Sequence, residues 1–332
     1  MSADRDAARS TLAHPTVRTR GESLSMTLPI SATPDEPDTT CSHDDPQQVG
    51  YTTRLLVQAL FPYRKPTIDK IVSTTGQTRV TIYAPDGLPY GKYPRLIMAY
   101  IITETVKRHG QGLPDDEARR IPLGSSMNEF LSYMGLRSRG TGGARGTLGM
   151  LRDQLRRLTG TTIRAEKAWK STNRDSGGNM QLASSWDLWF DHQPDQQTME
   201  PSYIELTPQF FSEIVASRIP IDISILRSLT RPRSMDIYIW LTLRRFNLTR
   251  SLTLDWQQLK NQFGTGSPST SAALRDFRRE FRLALADVEE LWPDCGATVS
   301  TEGLTLTPGQ PSVPRKRPKP RALPASETGT LF

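Results

Sequence analysis

The chain repeats itself. Residues 94–101 read Pro-Arg-Leu-Ile-Met-Ala-Tyr-Ile, and residues 232–239 read Pro-Arg-Ser-Met-Asp-Ile-Tyr-Ile. The similarity in kind continues downstream of both strings. An internal repeat restricts the fold more than any composition does, because the same supersecondary unit has to occur twice. Each copy predicts a helix, a short apolar strand, a second helix, a turn, a long arginine-bearing helix and a hairpin-like tail.

The first copy spans roughly 90–191. Pro94 suits a helix N-terminus, where its missing N–H costs nothing. Leu96 to His109 reads as helix with Ile97, Tyr100 and Ile101 inward, and Gly110 stops it. Ile121–Leu123 is a strand. Ser125 or Ser126 caps a helix to Met134, with Glu129 placed for a capping box. The segment 136–143 is a turn, 144–159 the third helix and Thr162–Trp169 a strand. Ser171–Asn179 reads as a polar loop, and Met180, Leu182, Trp186, Leu188 and Phe190 alternate down a return strand, with Trp186 in the core. The second copy spans roughly 231–307. Its helix is Pro232–Phe246 and its strand Leu252–Leu254. Asp255 caps Trp256–Phe263, Ser271–Val288 is the third helix, and Thr298–Leu306 is a smaller hairpin. Outside the copies, Arg54–Leu60 and Pro208–Ala216 read as helices, Ile221–Leu229 as a short helical turn, and Arg79–Tyr83 and Tyr203–Leu206 as strands.

This order is that of the winged helix-turn-helix. The expected fold is therefore mainly α with small β wings, two tandem winged helix-turn-helix domains. Residues 1–48 form a disordered acidic arm, 49–195 the first domain, 196–307 the second, and 308–332 a disordered, basic, Pro-rich tail.

Charge points to a polyanionic partner. The net charge is +7 over the chain, yet residues 1–48 hold four basic and eight acidic groups, so the remainder carries +11. Phosphate contacts with counterion release follow from such a surplus. Cys41 and Cys295 are too few and too far apart for a disulfide framework, which fits a reducing, cytoplasmic setting. No apolar run approaches a membrane span, and the N-terminus lacks the apolar core of a secretory signal.

In the first copy, Leu148, Leu151, Leu155 and Leu158 make one buried stripe of the third helix. In the second, Leu274, Phe277, Phe281 and Leu285 do the same. Arginines occupy the other faces, as a helix lying in a major groove requires. The candidate DNA-binding residues are Arg137, Arg139, Arg145, Arg152, Arg156 and Arg157 of the first turn and helix, Lys170 and Arg174 of the first wing, and Arg275, Arg278, Arg279 and Arg282 of the second helix. Asp276 and Glu280 dilute the last group. The glycine-rich turn 141–146 lacks the lysine of a phosphate loop, so no nucleotide cofactor is expected. His14, His43, His109 and His192 have no ligand or triad partner at useful spacing, so neither a metal nor a catalytic site is expected.

Several strings in order, Gly87-Leu-Pro-Tyr-Gly91 with Pro94–Ile97, Ile121–Phe130, Thr141–Gly146 and Asp187–Phe190, resemble the plasmid-encoded RepA family of replication initiators. The resemblance runs over roughly 80–290. It implies a bacterial plasmid protein that binds direct repeats (iterons) in double-stranded origin DNA, and helps open the origin. By the same resemblance its partners are the host initiator and the replicative helicase or its loader; a homodimer is a further expectation, not drawn from the resemblance. The competing reading is a winged-helix transcriptional repressor without initiator activity.

Overall fold

The computed structural model describes residues 48–75, 78–124, 126–136, 146–169, 174–188, 202–264 and 270–314. The acidic arm up to residue 47, Arg137, Arg139, Arg145, Lys170 and the basic run 315–321 lie outside these residues.

The chain enters through β1 (Val49–Thr53) and α1 (Arg54–Gln58), then β2 (Lys70–Thr75) and β3 (Thr78–Tyr83). The long α2 (Lys92–Gly110) follows, with α3 (Asp115–Ala118), β4 (Arg120–Gly124), α4 (Met127–Tyr133) and α5 (Thr147–Thr159). Next come β5 (Thr162–Trp169), β6 (Arg174–Gln181), β7 (Ala183–Asp187), β8 (Ser202–Leu206), α6 (Pro208–Ser217), β9 (Arg218–Asp222) and α7 (Ile223–Ser228). The last third holds α8 (Pro232–Asn247), β10 (Leu252–Asp255), α9 (Trp256–Phe263), α10 (Ser271–Leu291), β11 (Ala297–Val299) and β12 (Gly303–Leu306).

These strands overturn the expectation of a mainly α fold with small wings. Among the described residues they form four antiparallel sheets, ordered β1-β9, β2-β3-β5-β6, β4-β8-β7 and β10-β12-β11. The two copies also close differently. In the second, β10 pairs with β12 of its own hairpin. In the first, β4 pairs with β8 from beyond the copy, while β5 joins β3 from before it. The expected first wing is thus half of a four-stranded sheet. Its return strand is β6, which includes Ser176, Gly177 and Gly178 where the sequence predicts a loop. Glycine and polar residues disfavour strands, but β5 offers a full edge and the pairing prevails. The run beyond Gln181 leaves that sheet, and β7 pairs with β8 instead. Trp186, expected in the core, is 45% exposed on this edge strand.

The first helix of each copy forms the centre of the molecule. Helix α2 buries Pro94 through Ala99, Ile101 and Ile102, and α8 buries Ser234 through Leu243. Each helix is buried around most of its circumference over its central turns. Where they meet, Arg95 of α2 and Asp236 of α8 form a buried bidentate ion pair, Nε to Oδ1 at 2.7 Å and Nη2 to Oδ2 at 2.6 Å. Arg95 also donates to the carbonyls of Gly91 and Phe61. Burial alone would lower the Arg95 pKa, and the carboxylate beside it more than reverses that. Burial likewise pushes the Asp236 carboxyl up, against the pull of Arg95; the two short parallel bonds have the geometry of an arginine–carboxylate fork. The matching arginine of the repeat, Arg233, pairs with Glu280 of α10 and lies 4.7 Å from the Tyr63 ring. After β12 the chain crosses back over α8. Arg245 donates to the carbonyls of Thr307 and Gln310, and Ser312 is buried beside the hydroxyls of Tyr238 and Thr242.

Candidate nucleic-acid interface

Among the described residues, helix α10 carries an open cluster of the predicted site arginines. Thr270 caps it by accepting from the Ala273 N–H at 3.2 Å. Phe277, Phe281, Ala284, Leu285 and Val288 are buried along one stripe, at the helical spacing of an amphipathic face. The far side presents Arg275, Arg278, Arg279 and Arg282, which with Leu283 line an open groove of about 450 Å³.

The four arginines are not equivalent. Arg278 and Arg282 lie 5.6 and 5.1 Å from the Trp256 ring centroid, within cation–π range. Arg282 also donates to the Ser300 carbonyl in the β11–β12 turn at 3.3 Å. Trp256 is 2% exposed, packs edge-on against Phe281 and donates its indole N–H to the Thr301 carbonyl at 3.0 Å. One indole therefore braces the first turn of α9, the body of α10 and the hairpin turn together. Arg275 and Arg279 project outward. Arg279 meets Asp276 at 3.4 Å, but both side chains are about 70% exposed, where such a pair contributes little. Among the described residues no carboxylate pairs with Arg275. Glu280, expected to dilute this face, is engaged by Arg233 of α8 instead.

Helix α9 is held in place by chemistry visible in the sequence. Asp255 accepts from the Gln258 N–H at 2.8 Å while the Gln258 side chain accepts from the Asp255 N–H at 2.9 Å. This is a capping box, with a carboxylate at the positive end of the helix.

In the first copy, α5 buries the expected Leu148, Leu151, Leu155 and Leu158. Two of its arginines turn toward the loop 84–90. Arg157 is largely buried, bonds Asp153 at 2.9 Å and the Leu88 carbonyl at 3.4 Å, and lies 5.5 Å from the Tyr90 ring. Arg156 faces Asp86 at 3.7 Å. Arg152 is partly buried on the same helix. Arg174 opens β6, opposite Trp169. The structure thus gathers Arg275, Arg278, Arg279 and Arg282 on one surface, and ties Arg157 to a neighbouring loop, whereas the exposed Arg156–Asp86 pair contributes little. Trp256 was missed as a functional residue. Its signal was an aromatic one residue after a helix cap, since a buried indole N–H calls for an acceptor.

A model of the family described as plasmid encoded RepA protein matches residues 88–258. The chain belongs to that family of replication initiators. The resemblance read from the residues is thereby borne out. The match runs from Leu88 through α2, β4, α4, α5 and α8 into α9, so α10 lies beyond it. Among solved structures, the chain is similar to domains 2 and 3 of RctB. A crystal structure of their SeMet derivatives shares 16% identity over 76% of this chain and 94% of that one, with a TM-score of 0.49. A structure of the RctB domains 2-3 (RctB-155-483) shares 12% identity at the same coverages, with a TM-score of 0.46. No curated protein matches the chain in sequence. Among the described residues, no helix is long and apolar enough to cross a membrane.

Proposed function

We propose that this RepA-family chain initiates plasmid replication by binding direct repeats in double-stranded origin DNA, with α10 as its principal reading element. The observation that carries this is the arginine ridge of α10, braced from behind by Trp256 and the β11–β12 turn. Arginines on the outer face of a helix match the major groove, where guanine takes two hydrogen bonds from one guanidinium. In this reading Arg275 and Arg279 touch DNA, and Arg278 and Arg282 hold the helix and hairpin while lending positive potential. Arg137, Arg139, Arg145, Arg152, Arg156, Lys170 and Arg174 of the first copy add backbone grip, with Arg157 ordering the loop beside them. Several bound protomers deform the origin jointly. Bending 20–30 bp costs on the order of 1–6 kcal/mol, which shared binding energy supplies. Origin opening then gives the replicative helicase, with its loader or the host initiator, a place to load; self-association of the chain adjusts how many protomers bind.

The test is genetic. The gene and its flanking DNA, cloned on a vector without an origin, establish a replicating plasmid in this account. The Arg275→Ala/Arg279→Ala variant, supplied at equal level, does not. Replication by that variant at wild-type copy number would refute the assignment.

A further inference from the structure

The four-stranded sheet has one covered side and one open side. Pairing in register puts Lys70, Tyr83, Thr162 and Gln181 in one row, Val72, Thr81, Arg164 and Asn179 in the next, and Thr74, Arg79, Glu166 and Gly177 in a third. Alternate residues point the other way, and there Val80, Ile82 and Ile163 are almost fully buried. The three rows therefore face solvent. Tyr83 is 45% and Val72 41% exposed, in contrast to their strand neighbours.

Among the side chains described, three cations, Lys70, Arg79 and Arg164, share this face with one carboxylate, Glu166, which Arg164 already engages. This positive surplus surrounds Tyr83, an exposed aromatic on a central strand. Lys70 is the direct cross-strand neighbour of Tyr83, about 5 Å away in backbone terms. Arg79 lies about 14 Å along the same strand.

We propose that this face is a platform for single-stranded DNA, with Tyr83 stacking on a base and Lys70, Arg79 and Arg164 holding phosphates. Stacking on an exposed aromatic beside a basic track is how proteins hold unpaired strands without reading sequence. The shape does not suit insertion into a duplex major groove. Four strands at about 4.8 Å spacing are about 14 Å across, wider than the ~12 Å major groove. A paired base also has no free face to offer Tyr83. The surface is separate from the α10 ridge, and the proposal stands independently of the duplex-binding reading above.

The experiment uses the full chain and a fluorescein-labelled oligo-dT, with a duplex as the second probe, read by anisotropy. Wild type binds the oligo-dT. Tyr83→Ala weakens that binding about tenfold, the order of one base–aromatic stack, and Tyr83→Phe stays near wild type. Arg79→Glu weakens it further at low salt and less at high salt. None of the three changes duplex affinity, whereas Arg275→Ala/Arg279→Ala weakens duplex and leaves oligo-dT unchanged. The proposal is overturned by a wild type that ignores oligo-dT. It is equally overturned if Tyr83→Ala and Arg79→Glu bind oligo-dT as wild type does, or if they lose duplex in parallel with oligo-dT.

Discussion

Replacing Asp236 by alanine leaves the Arg95 guanidinium inside the protein without its counter-charge. Its side chain is 3% exposed and would lose both carboxylate bonds, retaining only those to the Gly91 and Phe61 carbonyls. Breaking a buried pair from one side costs about 3–5 kcal/mol. The two retained carbonyl bonds place the expected loss near the lower end, about 3 kcal/mol. At roughly 2–4 °C per kcal/mol, the melting point should fall by about 6–12 °C. The same physics predicts that Arg95→Met/Asp236→Leu, which removes both charges and keeps the volume, melts within a few degrees of wild type or above it. Thermal unfolding followed by circular dichroism, with urea titration as a check, measures both. An Asp236→Ala protein that melts within about 2 °C of wild type would refute the reasoning, because the pair would then contribute nothing to joining α2 and α8.

Trp256→Leu removes the ring under Arg278 and Arg282, and duplex affinity should fall by about five- to tenfold; Trp256→Phe keeps the ring, loses only the N–H bond to Thr301, and should cost about 1 kcal/mol of stability with affinity nearly unchanged. Equal DNA binding by both variants would sink the bracing role. Cys295 is 1% exposed and burial pushes its thiol pKa up, so it should resist alkylation by iodoacetamide in native protein and react on unfolding, read by mass spectrometry of the modified peptide; rapid native labelling would contradict its placement.

Much of the local structure was legible in the residues. The cap at Ser126, the strand after α3, the leucine stripe of α5 and the Asp255 cap all depend on neighbours within a few positions, so spacing reveals them. The helix spans of α8, α9 and the start of α10 were readable for the same reason. The sheets were not. Strand β1 pairs with β9, and β3 with β5, across separations that no window of periodicity can cover. Strand β6 carries the glycines and polar residues of a loop and becomes a strand because β5 supplies its partner. Trp186 alternates like a core residue, but β7 ends up on a sheet edge. At the candidate site, the arginine face of α10 followed from its stripe. The division of labour within it did not, because Trp256 meets Arg278 and Arg282 only through the crossing of α9 and α10. The engagement of Glu280 by Arg233 is a tertiary contact of the same kind.

The central claim is that α10 reads duplex DNA through its outward arginines. The most direct measurement is the affinity of wild type and Arg279→Ala for a direct repeat from the DNA flanking the gene and for a scrambled duplex, across a salt series. The account predicts that wild type prefers the repeat, and that Arg279→Ala loses about 1–3 kcal/mol on it and much less on the scrambled duplex. Equal affinity of wild type for the two duplexes, or an Arg279→Ala protein that discriminates as well as wild type, would contradict it.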